Sequence, residues 1–177
     1  ALTLIDERNY KDALQILIQI KDSSPEIKHV IADCYTKNEI WEEAAKYYNQ
    51  AISTEYVLSD YTTYHLAKCY QLLEDYEKSV RYYQLFVNHY PESPHFSEAK
   101  FQIAVIHQKQ ANHHKALQFF TDLANKKEGS YIREATFEMA GIYEELQDWQ
   151  KAKTLYDKLI SKNTSDSIAL ASLNQLE

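Results

Sequence analysis

Small, apolar and aromatic positions return along this chain at a nearly fixed interval. The segments Ala32-Asp33-Cys34-Tyr35, Ala67-Lys68-Cys69-Tyr70, Ala104-Val105-Ile106-His107 and Ala140-Gly141-Ile142-Tyr143 align with one another at spacings of 35, 37 and 36 residues. Twelve residues after each leading alanine stands a second small residue: Ala44, Ser79, Ala116 or Ala152. Four residues further comes an aromatic, Tyr48, Tyr83, Phe120 or Tyr156, and three before the small residue is Trp41, Tyr76, His113 or Trp149. Each copy reads as two amphipathic helices joined by a short polar turn. The small residues belong where the two helices approach closely, and the aromatics fill the space between neighbouring units. Lys37-Asn38-Glu39, Glu74-Asp75, Ala111-Asn112 and Gln147-Asp148 mark the turns, where Asn and Asp side chains can bond local backbone.

The connections between copies are also legible. Asp22-Ser23-Ser24-Pro25, Tyr90-Pro91-Glu92-Ser93-Pro94, Lys127-Glu128-Gly129-Ser130 and Asn163-Thr164-Ser165-Asp166 supply Ser and Asp as natural N-caps for the next helix. The pattern predicts one array over residues 1–177, with complete repeats at 25–58, 60–94, 97–130 and 133–166. Residues 1–22 form a partial repeat, in which Asn9-Tyr10-Lys11-Asp12-Ala13-Leu14 resembles a second helix. Residues 167–177 form a further partial repeat or a capping helix.

Composition narrows the alternatives. Only 2 glycines and 3 prolines are present, against average usage of about 7% and 5%. Tight hairpins and phosphate-cradling loops need glycine where φ is positive, so helix is expected almost throughout. The net charge of −7 argues against an electrostatic grip on nucleic acid or on anionic membrane. No apolar run reaches the roughly 18 residues that a membrane span needs. The chain opens on Ala1-Leu2-Thr3 rather than Met, and is expected to be a piece of something longer.

The repeat resembles the tetratricopeptide repeat family, whose small-residue, Tyr, Ala, aromatic and Pro positions are matched by Ala67, Tyr70, Ser79, Tyr83 and Pro91. The resemblance implies an all-α fold, a right-handed α-solenoid of antiparallel helix pairs. Lys28, Thr63, Lys100 and Thr136 depart from it, standing where the family often has a large apolar residue, and His107 replaces Tyr. The stretch Phe86-Val87-Asn88-His89-Tyr90-Pro91-Glu92-Ser93-Pro94 with Glu98-Ala99-Lys100-Phe101-Gln102-Ile103-Ala104 is similar to repeats of bacterial envelope proteins. Those include outer-membrane assembly lipoproteins, the Tol-system periplasmic coordinator and some flagellar-motor scaffolds. Cytoplasmic proteins share the style, and the expectation leans to the periplasm or envelope.

The same resemblance implies where a partner would sit, because in this family the first helices line a concave groove that grips peptides. Carried over, the groove positions are Glu26, His29, Asp33, Thr36 and Lys37, then Tyr61, Tyr64, Lys68 and Gln71. The later copies contribute Glu98, Phe101, Gln102 and Gln108, then Glu134, Phe137, Glu138, Gly141 and Glu144. Family members that clamp a chaperone's C-terminal carboxylate use basic residues and Asn there. Here His29, Asp33, Tyr64, His65, Lys68, Glu98 and Gln102 take those places, and only Lys68 suits a carboxylate. Aromatics at the middle and Glu134, Glu138, Glu144 and Glu145 at one end would favour a segment with apolar anchors and a basic end.

Motifs that carry chemistry are missing or isolated. There is no HExxH, no G-x-S-x-G and no Cys/His cluster. Glu26-x-x-His29 has a di-iron spacing, but such sites need two pairs plus further carboxylates, so an exposed helical pair is the expectation. His113-His114 reads as surface or packing, Asn163-Thr164-Ser165 as an incidental sequon, and Cys34 and Cys69 as small core hydrophobes. Most of the 15 tyrosines, and the pairs Tyr47-Tyr48, Tyr82-Tyr83 and Phe119-Phe120, should pack between repeats. The expectation is a non-catalytic scaffold holding a protein or peptide, without cofactor or metal, nucleic acid or membrane insertion. Its alternatives are an accessory region of a larger enzyme, such as a bacterial cell-wall lytic enzyme, and a self-associating array.

Overall fold

The computed structural model describes residues 1–20, 24–52, 59–162 and 167–175. Those residues are helical apart from their connections, and among them there is no strand. The chain divides into two compact units, Ala1–Ser93 and Pro94–Glu177. The first holds α1 (Leu2–Asp6), α2 (Tyr10–Leu17), α3 (Pro25–Lys37), α4 (Trp41–Ala51), α5 (Ser59–Leu72) and α6 (Tyr76–His89). The second holds α7 (Phe96–Lys109), α8 (His113–Ala124), α9 (Ile132–Glu145), α10 (Trp149–Lys162) and α11 (Ser167–Asn174). Within each unit every helix packs on its predecessor and its successor, and α11 also reaches α9. The predicted repeat ends at 58 and 166, the connecting residues Asp22 and Ser23, and Asn163-Thr164-Ser165 lie outside the described residues.

The small residues sit at the crossings. Ala32, Ala67, Ala104 and Ala140 are fully buried on the first helices, and Ala44, Ser79 and Ala116 are so on the second, with Ala152 at 3%. Backbones come close enough for the Ser79 hydroxyl to donate to the Ala67 carbonyl at 2.9 Å. Tyr48, Tyr83, Phe120 and Tyr156 are buried, and each tyrosine hydroxyl finds a partner on its own first helix. Tyr83 donates to Gln71 Oε1 and Tyr156 to Glu144 Oε2, both at 3.0 Å. Tyr48 donates to Asp33 and lies 3.3 Å from the Thr36 hydroxyl. A buried hydroxyl without a partner would be costly, so these acceptors are part of the core's design.

Two sequence separations organise the polar contacts. A separation of 12 ties the two helices of a copy, as in Thr36–Tyr48, Gln71–Tyr83 and Glu144–Tyr156. A separation of 33 ties one copy to the next within the first unit, in His29–Thr62 and Asn49–Tyr82, and also ties Asp60 to Ser93 at the two ends of a single copy.

Every turn inside a copy closes in the same way. Arg8, Glu39, Glu74, Ala111 and Gln147 take φ of 56–60°, the left-handed region, without being glycine. The residue after each donates its N–H to a carbonyl five positions back: Asn9 to Leu4, Ile40 to Tyr35, Asp75 to Tyr70, Asn112 to His107, and Asp148 to Tyr143. These are Schellman-type closures that satisfy the last carbonyls of the first helix. Asp75 and Asp148 then accept the backbone N–H of Lys78 and Lys151, as their turn positions predict.

The predicted caps hold at Ser24, which accepts from Ile27, with Pro25 opening α3, but fail ahead of α7 and α9. There the residues before the helix are His95 and Tyr131, with no side-chain cap bond. Ser93 donates to Asp60 on α5 instead, at 3.0 Å, and Tyr131 at φ 68° lays its ring 4.9 Å from Phe101. Gly129, at φ 132°, permits the backbone reversal ahead of it. Departures from the family pattern are absorbed locally. Thr63 and Thr136 are buried and return their hydroxyls to the Ser59 and Ile132 carbonyls, whereas Lys100 pairs with Asp122 and rests on the Phe96 ring. Among the described residues no helix is long and apolar enough to cross a membrane.

Candidate partner-binding surface

The first helices carry the groove positions, and packing divides those positions sharply. In the first unit Tyr64 is 2% exposed, its ring centroid 5.8 Å from Tyr83 and 5.7 Å from Phe86. It is a core residue and offers no partner a surface, which corrects the expectation for it. Gln71 is half-buried and holds the Tyr83 hydroxyl. Tyr61 is half-buried and Lys68 exposed, so these two keep accessible surface.

Position 29 departs further from expectation. His29 is 4% exposed rather than part of an exposed Glu/His pair. Its Nδ1 lies 2.8 Å from Thr62 Oγ1 on α5, and its Nε2 lies 3.3 Å from Asp33 Oδ2. A neutral ring satisfies both contacts by donating at Nε2 and accepting at Nδ1. Asp33 thus receives His29 on one oxygen and the Tyr48 hydroxyl on the other. Burial alone would raise its pKa, but the bonds from His29 and Tyr48 and the nearness of His65 win and hold it below the usual carboxylate value. The same negative charge, after burial, pushes up the Tyr48 and Tyr61 phenols. Around this carboxylate stand rings from two first helices, with Tyr61 4.0 Å from His65 and 5.3 Å from His29. No local sequence signal announces the group, because Thr62 is 33 residues beyond His29.

In the second unit Phe101 is half-buried against Phe120 and Tyr131, at 5.4 and 4.9 Å, and Phe137 is half-buried 5.7 Å from Tyr156. Both rings spend much of their surface on packing. Glu144 accepts the Tyr156 hydroxyl, and Glu145 lies 3.6 Å from His113 Nδ1, so two of the four acids expected at one end already have contacts. Glu98 is half-buried beside His95, at 3.5 Å. Glu134 is exposed, and Gln102, Gln108, Glu138 and Gly141 are half-buried. No group of three or more His, Cys, Asp or Glu among the described residues could hold a metal ion.

This arrangement defines a class, the α-helical repeat proteins built from helix pairs. Residues 61–93 and 134–164 match the sequence model of the tetratricopeptide repeat, so these two stretches of the chain are tetratricopeptide repeats by sequence. Solved structures agree on the fold. YrrB, described as a TPR protein with an unusual peptide-binding site, is 19% identical with a TM-score of 0.75, over 97% of this chain and 87% of its own. MamA is 12% identical with a TM-score of 0.76, over 92% of this chain and 93% of its own. The C-terminal part of a TPR repeat-containing protein from Cytophaga hutchinsonii is 17% identical with a TM-score of 0.72, over 91% of this chain and 62% of its own. None of the curated proteins is a significant sequence match.

Proposed function

We propose that this chain is a non-catalytic interaction module that holds a partner polypeptide against its first-helix faces. One observation carries the reading. The second helices commit Tyr48, Tyr83, Phe120 and Tyr156 to the core, whereas the first helices leave Tyr61, Lys68, Gln102, Glu134 and Glu138 with accessible surface. Tetratricopeptide proteins are generally non-catalytic scaffolds, and YrrB is described as having a peptide-binding site. An envelope setting belongs to the same proposal, on the likeness of residues 86–94 and 98–104 to envelope repeats.

A photocrosslinking amino acid at Lys68 or Glu138, compared with one at Lys158 on α10, tests the reading in living cells. Protein adducts should form from the first two positions and not from the third. Adducts from Lys158 alone, or equally from all three, would sink it. A second reading, association between copies, has its own observation. The helix α2 with its capping residue, and α11, expose Ile16 (46%), Ile18 (51%), Leu170 (54%) and Leu173 (41%). Sedimentation over a concentration series reads it directly, and a concentration-independent monomer rejects it.

A further inference from the structure

In the first unit one carboxylate is braced from behind and open in front. Asp33 accepts two hydrogen bonds, from His29 and Tyr48, both anchored in the core. Its side chain is nonetheless 36% exposed. A carboxylate has about four acceptor sites, so capacity remains on the exposed side. The brace also fixes the group. His29 is tied to α5 through Thr62, and Tyr48 is fully buried on α4, so three helices define where the charge sits. Beside it Tyr61 and His65 lie with their ring centroids 4.0 Å from one another, and Tyr61 feels the Asp33 charge.

A fixed carboxylate flanked by aromatic faces has a definite chemical complement. An ammonium or guanidinium gains a charge-assisted bond from the carboxylate and a further attraction from the Tyr61 ring. The Asp33 charge repels an anion there. We propose that Asp33, with Tyr61, forms a receptor for one cationic side chain, lysine or arginine, of the partner polypeptide. The inference rests on the partner-holding reading and names the chemistry of one contact. It also relocates the selectivity for a basic residue from the acids of α9 to the face between α3 and α5. The aligned positions in the other copies are Lys68, Val105 and Gly141, so the receptor occurs once in the repeat pattern.

The probe is Nα-acetyl-lysine N-methylamide, with its norleucine analogue as the uncharged control, titrated into the 177-residue chain near neutral pH. Ring signals of Tyr61 and His65 are followed by NMR. The lysine compound should shift both saturably, norleucine should leave them in place, and Asp33→Asn should abolish the response. Tyr61→Leu keeps the carboxylate and both donors, and should weaken binding about fivefold. It decides the matter if Asp33→Asn proves too unstable to titrate. Equal responses to lysine and norleucine, no response at tens of millimolar, or wild-type binding by Tyr61→Leu would overturn the receptor. A null titration leaves the crosslinking result to stand for the scaffold, and crosslinks confined to α10 reject the scaffold whatever the titration shows.

Discussion

Ala44 and Ala116 have no exposed surface, and each lies in a crossing with a first-helix alanine, Ala32 or Ala104, that has none either. Leucine at Ala44 or Ala116 should therefore destabilise by about 1–3 kcal/mol through overpacking. Lys11→Leu, on an exposed position of α2, should change stability by less than about 0.5 kcal/mol. Urea melts of the three variants check the register. The thiols make a second test at this scale. Burial, and then the Asp33 charge, push Cys34 up to about 11. Burial is again the leading cause at Cys69, pushed up to about 12. A folded-state value above the unfolded one, near 9, means stability is complete below pH 9 and is lost as pH rises toward 11–12. Native chain should react slowly with iodoacetamide at pH 8, and Cys34→Ala with Cys69→Ala should flatten the alkaline loss measured by Tm against pH. Such core positions were readable in the sequence because packing repeats with the helix pair. The site was not. Tyr61 and Tyr64 are three residues apart on one helix, and a small rotation decides which faces solvent. His29 is buried among Tyr48, Tyr61 and Thr62, the last two in the next repeat.

At the scale of helices and turns, two positions hold the residue that the other should have. Ala111 occupies a left-handed turn at φ 56°, which costs an L-residue about 1–2 kcal/mol. Gly141 sits within α9 with open space where a Cβ would go. Ala111→Gly and Gly141→Ala should each stabilise by about 0.5–1 kcal/mol, measured by thermal and urea melts. The aromatic stacks give another comparison. Tyr35 stacks on Tyr47 and Tyr70 on Tyr82 at 5.5 Å, and His107 on Phe119 at 6.2 Å. At the aligned place in α10 stands Leu155, and a pocket of about 260 Å³ opens beside it and Tyr143. Leu155→Tyr should restore the stack and add about 0.5–1.5 kcal/mol, whereas Phe119→Leu should remove a comparable amount. Equal and opposite shifts in the urea midpoint are the expected result.

Taken as a molecule, the chain is a sum of neighbour contacts, and its stability should be graded accordingly. The helix α1 buries no residue and α11 buries only Ala169 and Ser172, while α5 buries seven. Hydrogen exchange followed by mass spectrometry should find α1 and α11 exchanging first and α4, α5, α8 and α9 last. Uniform protection from end to end would contradict the neighbour picture. The repeat at this scale was plain in the sequence, since its spacing is written in the chain. The division at Ser93 was not, because the Pro-rich stretch there looks like any other connection.

The separation of 12 between Tyr83 and Gln71, and between Tyr156 and Glu144, also has an evolutionary reading. A buried phenol and its acceptor form a heritable pair, in which loss of either leaves the other stranded in the core. Across related genes the two columns should mutate together, with phenylalanine at the later column freeing the earlier one to drift. Phe120 with Gln108 is this chain's instance of the released state. Helix pairs duplicated from a common ancestor would carry this pairing as a lineage mark, lost wherever the hydroxyl is lost.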